Sequence, residues 1–310
     1  MLENLSLFIF ALIALWLGSG LIVNSLDNIS RRLEISAFAV SFFLLGFLTS
    51  LPELSVGINA IIDKTPEIYI GNLIGGSVII FLLIIPLLAI LGNGIILSHQ
   101  LTSNKLIFSL YVIGLPSLLI IDKNLTSVES LLLIIAYSVL LYAFEKRKGI
   151  FDHFRDKLYL DNRDTARDFF KIFTGAFVVF MSSGILVEKT IVFSRYLHVS
   201  PFLLSLLGLS IGTNLPEISI AARSITSGKK EIALGDYIGS AATNSMLLGI
   251  LTIINNQPVA FQNHFLITFL FMWAGLILFY FFTRSKNDIS RKEGFALLFL
   301  YLVFFLVEIQ

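Results

Sequence analysis

Long apolar stretches recur along the chain from Leu5 to Val307, separated by short polar segments. A helix needs roughly 20 residues to cross about 30 Å of hydrocarbon, and a backbone surrounded by lipid must satisfy its own polar groups. The pattern therefore predicts an all-α integral membrane protein with ten spans, near residues 5–24, 35–62, 68–92, 105–122, 127–144, 169–188, 201–225, 231–254, 265–282 and 294–307. The first span is expected to be a retained helix. Its leader, Met1 to Asn4, has no basic residue, and the stretch contains Trp16 and runs too long for a signal peptide.

The pattern also repeats. Leu51, Pro52 and Glu53 return as Leu215, Pro216 and Glu217, an offset of 164 residues. The same offset carries Gly20 to Gly184, Val23 to Val187, Thr49 to Thr213, Ser55 to Ser219, Gly71 to Gly235, Ile74 to Ile238 and Gly75 to Gly239. Between the copies lies the most polar segment, Glu145 to Asp168, which reads as a linker. Three parts are expected: an N-terminal five-helix repeat over 1–144, the linker over 145–168 and a C-terminal five-helix repeat over 169–310. Five is odd, so the second copy enters the membrane from the opposite side and the two copies have inverted topology. Such a pair suits alternating access, because exchanging the conformations of the halves moves an opening from one side to the other.

Composition changes this picture little. The chain is 56% hydrophobic and 14% charged, with a mean hydropathy of +0.88, which excludes a soluble domain. A net charge of +1 implies no nucleic-acid partner. The placement of the cations is more telling. Most of the 22 Lys and Arg fall in loops joining odd to even spans, among them Arg31, Arg32, Lys146 to Lys148, Lys229 and Lys230. The opposite loops carry Lys64, Lys123, Lys189 and Arg195. The positive-inside rule then sets both termini outside and the central loop in the cytoplasm of a multi-pass cell-membrane protein. With no cysteine and four scattered histidines, neither a thiolate nor an imidazole centre is indicated. A monomer in a lipid bilayer is expected, with no bound cofactor.

Glu53 and Glu217 lie inside apolar spans, where an ionised carboxylate costs several kcal/mol unless it is paired, hydrated or bound to a cation. Each follows a proline, which removes a donor and should kink or unwind the helix there, freeing carbonyl oxygens. Thr49, Ser50 and Glu53 in one copy, and Thr213, Asn214 and Glu217 in the other, combine carboxylate, hydroxyl, amide and backbone oxygens. That is the hard ligand set which calcium and sodium prefer. The third and eighth spans open with Gly71-Asn72-Leu73-Ile74-Gly75-Gly76 and Gly235-Asp236-Tyr237-Ile238-Gly239-Ser240, whose glycines admit a close neighbouring helix. One turn beyond Ser240 stands Asn244, whereas one turn beyond Gly76 stands Ile80.

These motifs resemble the cation/calcium antiporter superfamily, in particular its sodium/calcium exchanger branch, whose repeats look like Gly-Thr-Ser-Leu-Pro-Glu followed by Gly-Asn-x-x-Gly-Ser-Asn. Here they read Leu48-Thr49-Ser50-Leu51-Pro52-Glu53 and Gly212-Thr213-Asn214-Leu215-Pro216-Glu217. The resemblance implies a ten-helix fold in which helices two, three, seven and eight surround a midplane site while helices one and six slide across them. It implies Glu53 and Glu217 as main ligands, with Thr49, Ser50, Thr213, Ser240 and Asn244 at oxygen-donor positions. Gly76, Ile80, Asn214 and Asn244 depart from the usual serine, asparagine or aspartate, serine, and aspartate, and Leu48 replaces a glycine.

With Asn244 neutral, only two carboxylates are expected at the centre, enough for one calcium or two monovalent cations. The expected function is an antiporter exchanging calcium for sodium or protons, nearer electroneutral than a three-sodium exchange. The altered positions leave an exchanger of magnesium, manganese or potassium, or a passive cation channel, as alternatives. No enzyme is expected, since neither a Ser-Lys pair within the spans nor a His-Glu-x-x-His pattern occurs.

Overall fold

The computed structural model describes residues 2–33, 42, 46–96, 103–145, 162–227, 230–257, 259–260, 265–286 and 288–309. The helices in chain order are α1 Leu2–Leu33, α2 Gly46–Thr49, α3 Leu51–Ile62, α4 Pro66–Ile79, α5 Ile85–Leu91, α6 Ser103–Leu119 and α7 Ser127–Glu145. They continue as α8 Asn162–Leu197, α9 Pro201–Leu204, α10 Ser210–Thr213, α11 Leu215–Ser227, α12 Lys230–Asn255, α13 Phe265–Lys286 and α14 Arg291–Ile309. Short strands β1 Ile95–Ile96, β2 Asn124–Leu125, β3 Val259–Ala260 and β4 Asp288–Ile289 sit between helices.

Six helices are long and apolar enough to cross a membrane, and a seventh span arises if the bent pair Pro201–Thr213 and Leu215–Ala222 is taken as one. Gly46–Ile62 and Asn104–Leu119 are apolar but shorter. Residues 34–41 and 43–45 of the expected second span, and 146–161 of the expected linker, lie outside the described residues. Several expected boundaries shift. Helix α8 starts at Asn162, so residues 162–168 form its first turns rather than linker, and it runs on to Leu197 instead of stopping near 188. Lys189 and Arg195 thereby belong to a helix and not a loop, with Lys189 buried and paired to Glu188 at 2.7 Å.

The molecule is layered around two helices. The span Pro66–Leu91 has 83% of its apolar stretch buried and Ala233–Asn255 78%, against 24% for Glu3–Ile22 and 28% for Ser127–Phe144. The core is apolar but studded with hydroxyls and carboxyls, and the outer helices turn Phe10, Phe170, Phe173, Phe281, Phe299 and Leu306 outward. This is the distribution expected when the solvent is hydrocarbon. In the span Pro66–Leu91, α4 and α5 join through a π-turn, Ile80–Ile84, in which the Ile85 N–H reaches the Ile80 carbonyl. Pro86 follows, and its missing N–H is accommodated by that widened turn.

Local signals recur at the offset of 164 residues. Thr126 and Glu129 open α7 with a capping box, the Glu129 carboxylate accepting from the Thr126 amide and hydroxyl at 2.7 Å each. Ser290 and Glu293 open α14 identically, also at 2.7 Å. Strand β1 pairs antiparallel with β4, and β2 with β3. The offset carries β1 onto β3 and β2 onto β4, so it exchanges the two pairings. Gly75 packs so closely on α9 and the following π-turn that a Cβ would collide with the Leu206 carbonyl, and a Cβ at Gly239 would collide with the Phe42 carbonyl. Phe42 and Leu206 stand at the same offset.

Beside β1, Lys230 donates from Nζ to the carbonyls of Gly92 and Gly94, and Arg291 donates from Nε to that of Ile90 at 2.8 Å. Two cations thus satisfy the free carbonyls at the end of α5.

Candidate functional site

The site begins with two helix breaks. Helix α2 stops at Thr49 and α3 starts at Leu51, while α10 stops at Thr213 and α11 starts at Leu215. The intervening Ser50 (φ −81°, ψ 3°) and Asn214 (φ −86°, ψ 14°) have nearly the same non-helical backbone. Pro52 and Pro216 have no N–H to offer the carbonyls of Leu48 and Gly212, so the ladder fails one turn upstream of each proline. The break therefore falls at Ser50 and Asn214, not at the glutamates, and the second one bends the chain by 41°. Each proline sits in the first turn of the next helix, where a missing N–H costs nothing.

All eight expected site residues are buried: Thr49, Ser50, Glu53, Thr213, Asn214, Glu217 and Ser240 have no exposed surface, and Asn244 has 1%. Most of them touch across the two halves. Ser240 donates to Glu217 Oε1 at 3.0 Å, and Ser50 and Ser240 share a hydrogen bond of 3.1 Å. Asn214 donates from Nδ2 to Glu53 Oε1 at 3.4 Å and to the Ser210 carbonyl at 2.8 Å. Neither Asn244 Nδ2 nor Oδ1 has a hydrogen-bond partner among the described residues. Its Nδ2 lies 3.1 Å from where a Cβ on Gly76 would stand, and Asn214 Nδ2 lies 3.0 Å from it. The Asn214 amide thus fills the space that a side chain at position 76 would need.

Two further residues complete the centre. Thr49 donates to Asp236 Oδ1 at 3.2 Å, and Thr213 donates to Asn72 Oδ1 at 3.1 Å. These are the same bond at the same offset. Asp236 and Asn72 are fully buried, and Tyr237 donates to the Glu217 carbonyl at 3.1 Å. The expectation of only two central carboxylates is corrected by Asp236. In sequence it stood inside a glycine motif that read as helix packing, although its position opposite Asn72 was open to inspection.

One oxygen of each carboxylate, Glu53 Oε2, Glu217 Oε2 and Asp236 Oδ2, has no hydrogen-bond partner among the described residues. Leaving such groups unmade in a dry interior is costly, and acceptors of this kind suit a cation. No group of three or more His, Cys, Asp or Glu among the described residues is placed to hold a metal. A cation here would need hydroxyl, amide or backbone oxygens as well, and those are abundant.

Two cavities flank the centre. One of about 290 Å³ lies between α1 and α11, lined by Trp16, Gly20, Asn24, Pro216 and Ser219 among others, and Trp16 donates to Ser219 at 2.8 Å. The other, of about 10 Å³, is lined by Ser77, Ser117, Asn244 and Ser245 among others, which is room for about one water.

Known proteins share this arrangement. A sodium/calcium exchanger of Methanosarcina acetivorans, MaX1, is 26% identical over 98% of each chain. The Escherichia coli inner membrane protein YrbG is 24% identical over 86% of this chain and 85% of its own. In fold, the chain matches the solved sodium-calcium exchanger NCX_Mj with a TM-score of 0.70 at 22% identity, over 97% of both chains. It also matches the H+/Ca2+ exchanger CAX with a TM-score of 0.78 at 14% identity, over 99% of this chain and 86% of that one. The family model described as sodium/calcium exchanger protein matches residues 4–145 and again 169–310, and the chain belongs to that family.

Proposed function

We propose that this protein is a secondary active antiporter that exchanges calcium for sodium or protons by alternating access, at a midplane site centred on Glu53 and Glu217. The observation that carries this reading is the symmetry of the two helix breaks. Each presents a fully buried glutamate with one unpartnered oxygen toward hydroxyl, amide and carboxylate groups of the opposite half. Calcium takes six to eight oxygens from carboxylates, carbonyls and amides. Thr49, Ser50, Thr213, Asn214, Ser240 and Asn244 are the oxygen donors proposed to complete its shell. The name of MaX1 and the folds of NCX_Mj and CAX fit either driving ion.

A ten-helix inverted repeat is the architecture behind this reading. Its support is that the offset exchanges the pairs β1–β4 and β2–β3, which lie at opposite ends of the 17-residue helix α6. Lys230 and Arg291 cluster at the β1–β4 end, which fits a cytoplasmic face there and termini outside. A transporter of another divalent cation is the second reading, favoured by the Asn214 amide crowding Gly76 and by Ile80 nearby.

Calcium-45 uptake into proteoliposomes under an outward sodium gradient, an outward proton gradient or neither tests the function. Gradient-dependent uptake that Glu53→Gln and Glu217→Gln both abolish is the expected result. Uptake that needs no counter-gradient and survives both substitutions would sink it.

A further inference from the structure

Thr49 and Thr213 occupy matching positions, and each hydroxyl has two acceptors within reach. Thr213 bonds Asn72 Oδ1 at 3.1 Å and also engages the Glu53 carboxylate. Thr49 bonds Asp236 Oδ1 at 3.2 Å and also engages the Glu217 carboxylate. The environments differ in one group, an amide at 72 and a carboxylate at 236. A threonine has a single hydroxyl hydrogen to give. On the Glu53 side it is shared between one carboxylate and a neutral amide oxygen. On the Glu217 side it is shared between two carboxylates.

That corner is therefore one positive charge short. Ser240 satisfies Glu217 Oε1 at 3.0 Å, yet Glu217 Oε2 and Asp236 Oδ2, both fully buried, have no partner among the described residues. The ion pairs of the described residues lie elsewhere, at Asp168–Lys171 and Glu188–Lys189. Two carboxylates bridged by one hydroxyl invite a cation between them. The oxygens on hand are few: the two carboxylates, the Thr49 hydroxyl and the Gly46 carbonyl, which accepts from Thr49 at 3.4 Å and Ser50 at 2.9 Å. Six to eight are needed for calcium, so the corner suits a small dehydrated monovalent ion.

We propose that Asp236, Glu217 and Thr49 form a second cation subsite, present only in the C-terminal copy, which takes a sodium ion when calcium leaves the central site. This rests on the antiport reading above. It makes the site's charge three carboxylates rather than two, so sodium-driven calcium uptake carries current.

The test is Asp236→Asn in proteoliposomes, reading the sodium dependence of calcium-45 uptake, the charge moved per calcium, and calcium–calcium exchange without sodium. The copy at Asn72 shows that an amide fits this position against a threonine donor. Sodium-driven uptake in the variant should need at least about tenfold more sodium, a step of about 1.4 kcal/mol. It should carry less charge per calcium and fall at least tenfold further than calcium–calcium exchange does. The reciprocal Asn72→Asp, which gives the Glu53 side the same acceptor pair, should lower the sodium requirement. Unchanged sodium dependence and charge in Asp236→Asn would overturn the subsite, as would an equal fall in both exchange modes. Calcium uptake that ignores sodium in the unsubstituted protein would overturn it too, while leaving a calcium antiporter in place. Absence of any calcium flux in the unsubstituted protein would bring down both readings.

Discussion

The Glu53 and Glu217 sides of the centre are built from the same backbone and furnished differently. Each glutamate follows a helix break, faces a threonine from the other copy, and lies near an acceptor at the start of a central helix. On the Glu217 side the furnishing is two serines and an aspartate: Ser50, Ser240 and Asp236. On the Glu53 side it is Asn214, a bare Gly76 and Asn72, so an amide reaches the carboxylate where a hydroxyl does in the other copy. The scaffold is thus held equal while the chemistry diverges. Duplication makes that possible, because each position in the centre has a partner 164 residues away that is free to change.

The largest effect should come from the feature the sides share. Glu53→Gln and Glu217→Gln should each lower calcium flux by at least about a hundredfold, equivalent to about 2.7 kcal/mol. A variant with near-normal flux would show that one side alone carries the ion. Next come the shared close contacts. Gly75→Ala and Gly239→Ala each push a methyl onto a carbonyl of the opposite half and should destabilise by similar amounts, up to about 3 kcal/mol. Thermal unfolding in detergent reads this, and a large disparity would break the packing symmetry.

A smaller effect probes the divergence itself. Gly76→Ser should cost about 1–2 kcal/mol because Asn214 occupies the space. Adding Asn214→Ser should recover about 1 kcal/mol of it, since neighbouring substitutions couple. Additive losses would mean that the two positions are independent. The smallest effect concerns helix starts. Thr126→Ala and Ser290→Ala remove equivalent caps and should each cost about 1 kcal/mol. Unequal costs would show that one copy bears more of the stability than the other.

Much of this was readable beforehand, and the parts that were not share a cause. Apolar stretches and the offset gave the membrane class, the doubling and both glutamates, because each is a property of one segment or of two segments compared in register. Asp236 and Asn72 were visible as letters, but their roles depend on facing Thr49 and Thr213 across the halves. Which face of a span meets which neighbour is not encoded in periodicity when the helix is apolar all round, as α4 is, with residues 68–79 buried without exception. The exchange of space between Gly76 and Asn214 was hidden for the same reason: both departures were noted singly, and only contact joins them. Helix ends were missed where polar residues continue a helix beyond the hydrocarbon, as at Asn162 and Leu197.

The pairing of β1 with β4 and β2 with β3 ties the rims of the molecule at both ends. These four short strands flank α5, α6, α7, α12, α13 and α14, so those helices are stapled to one another across the two copies. Helices α1 and α8 adjoin none of these strands, and each packs most extensively against the other, Gly18 against Gly175. The result is a division into stator and shuttle, in which friction along one pair of helices, rather than deformation of the whole bundle, sets the pace of a transport cycle.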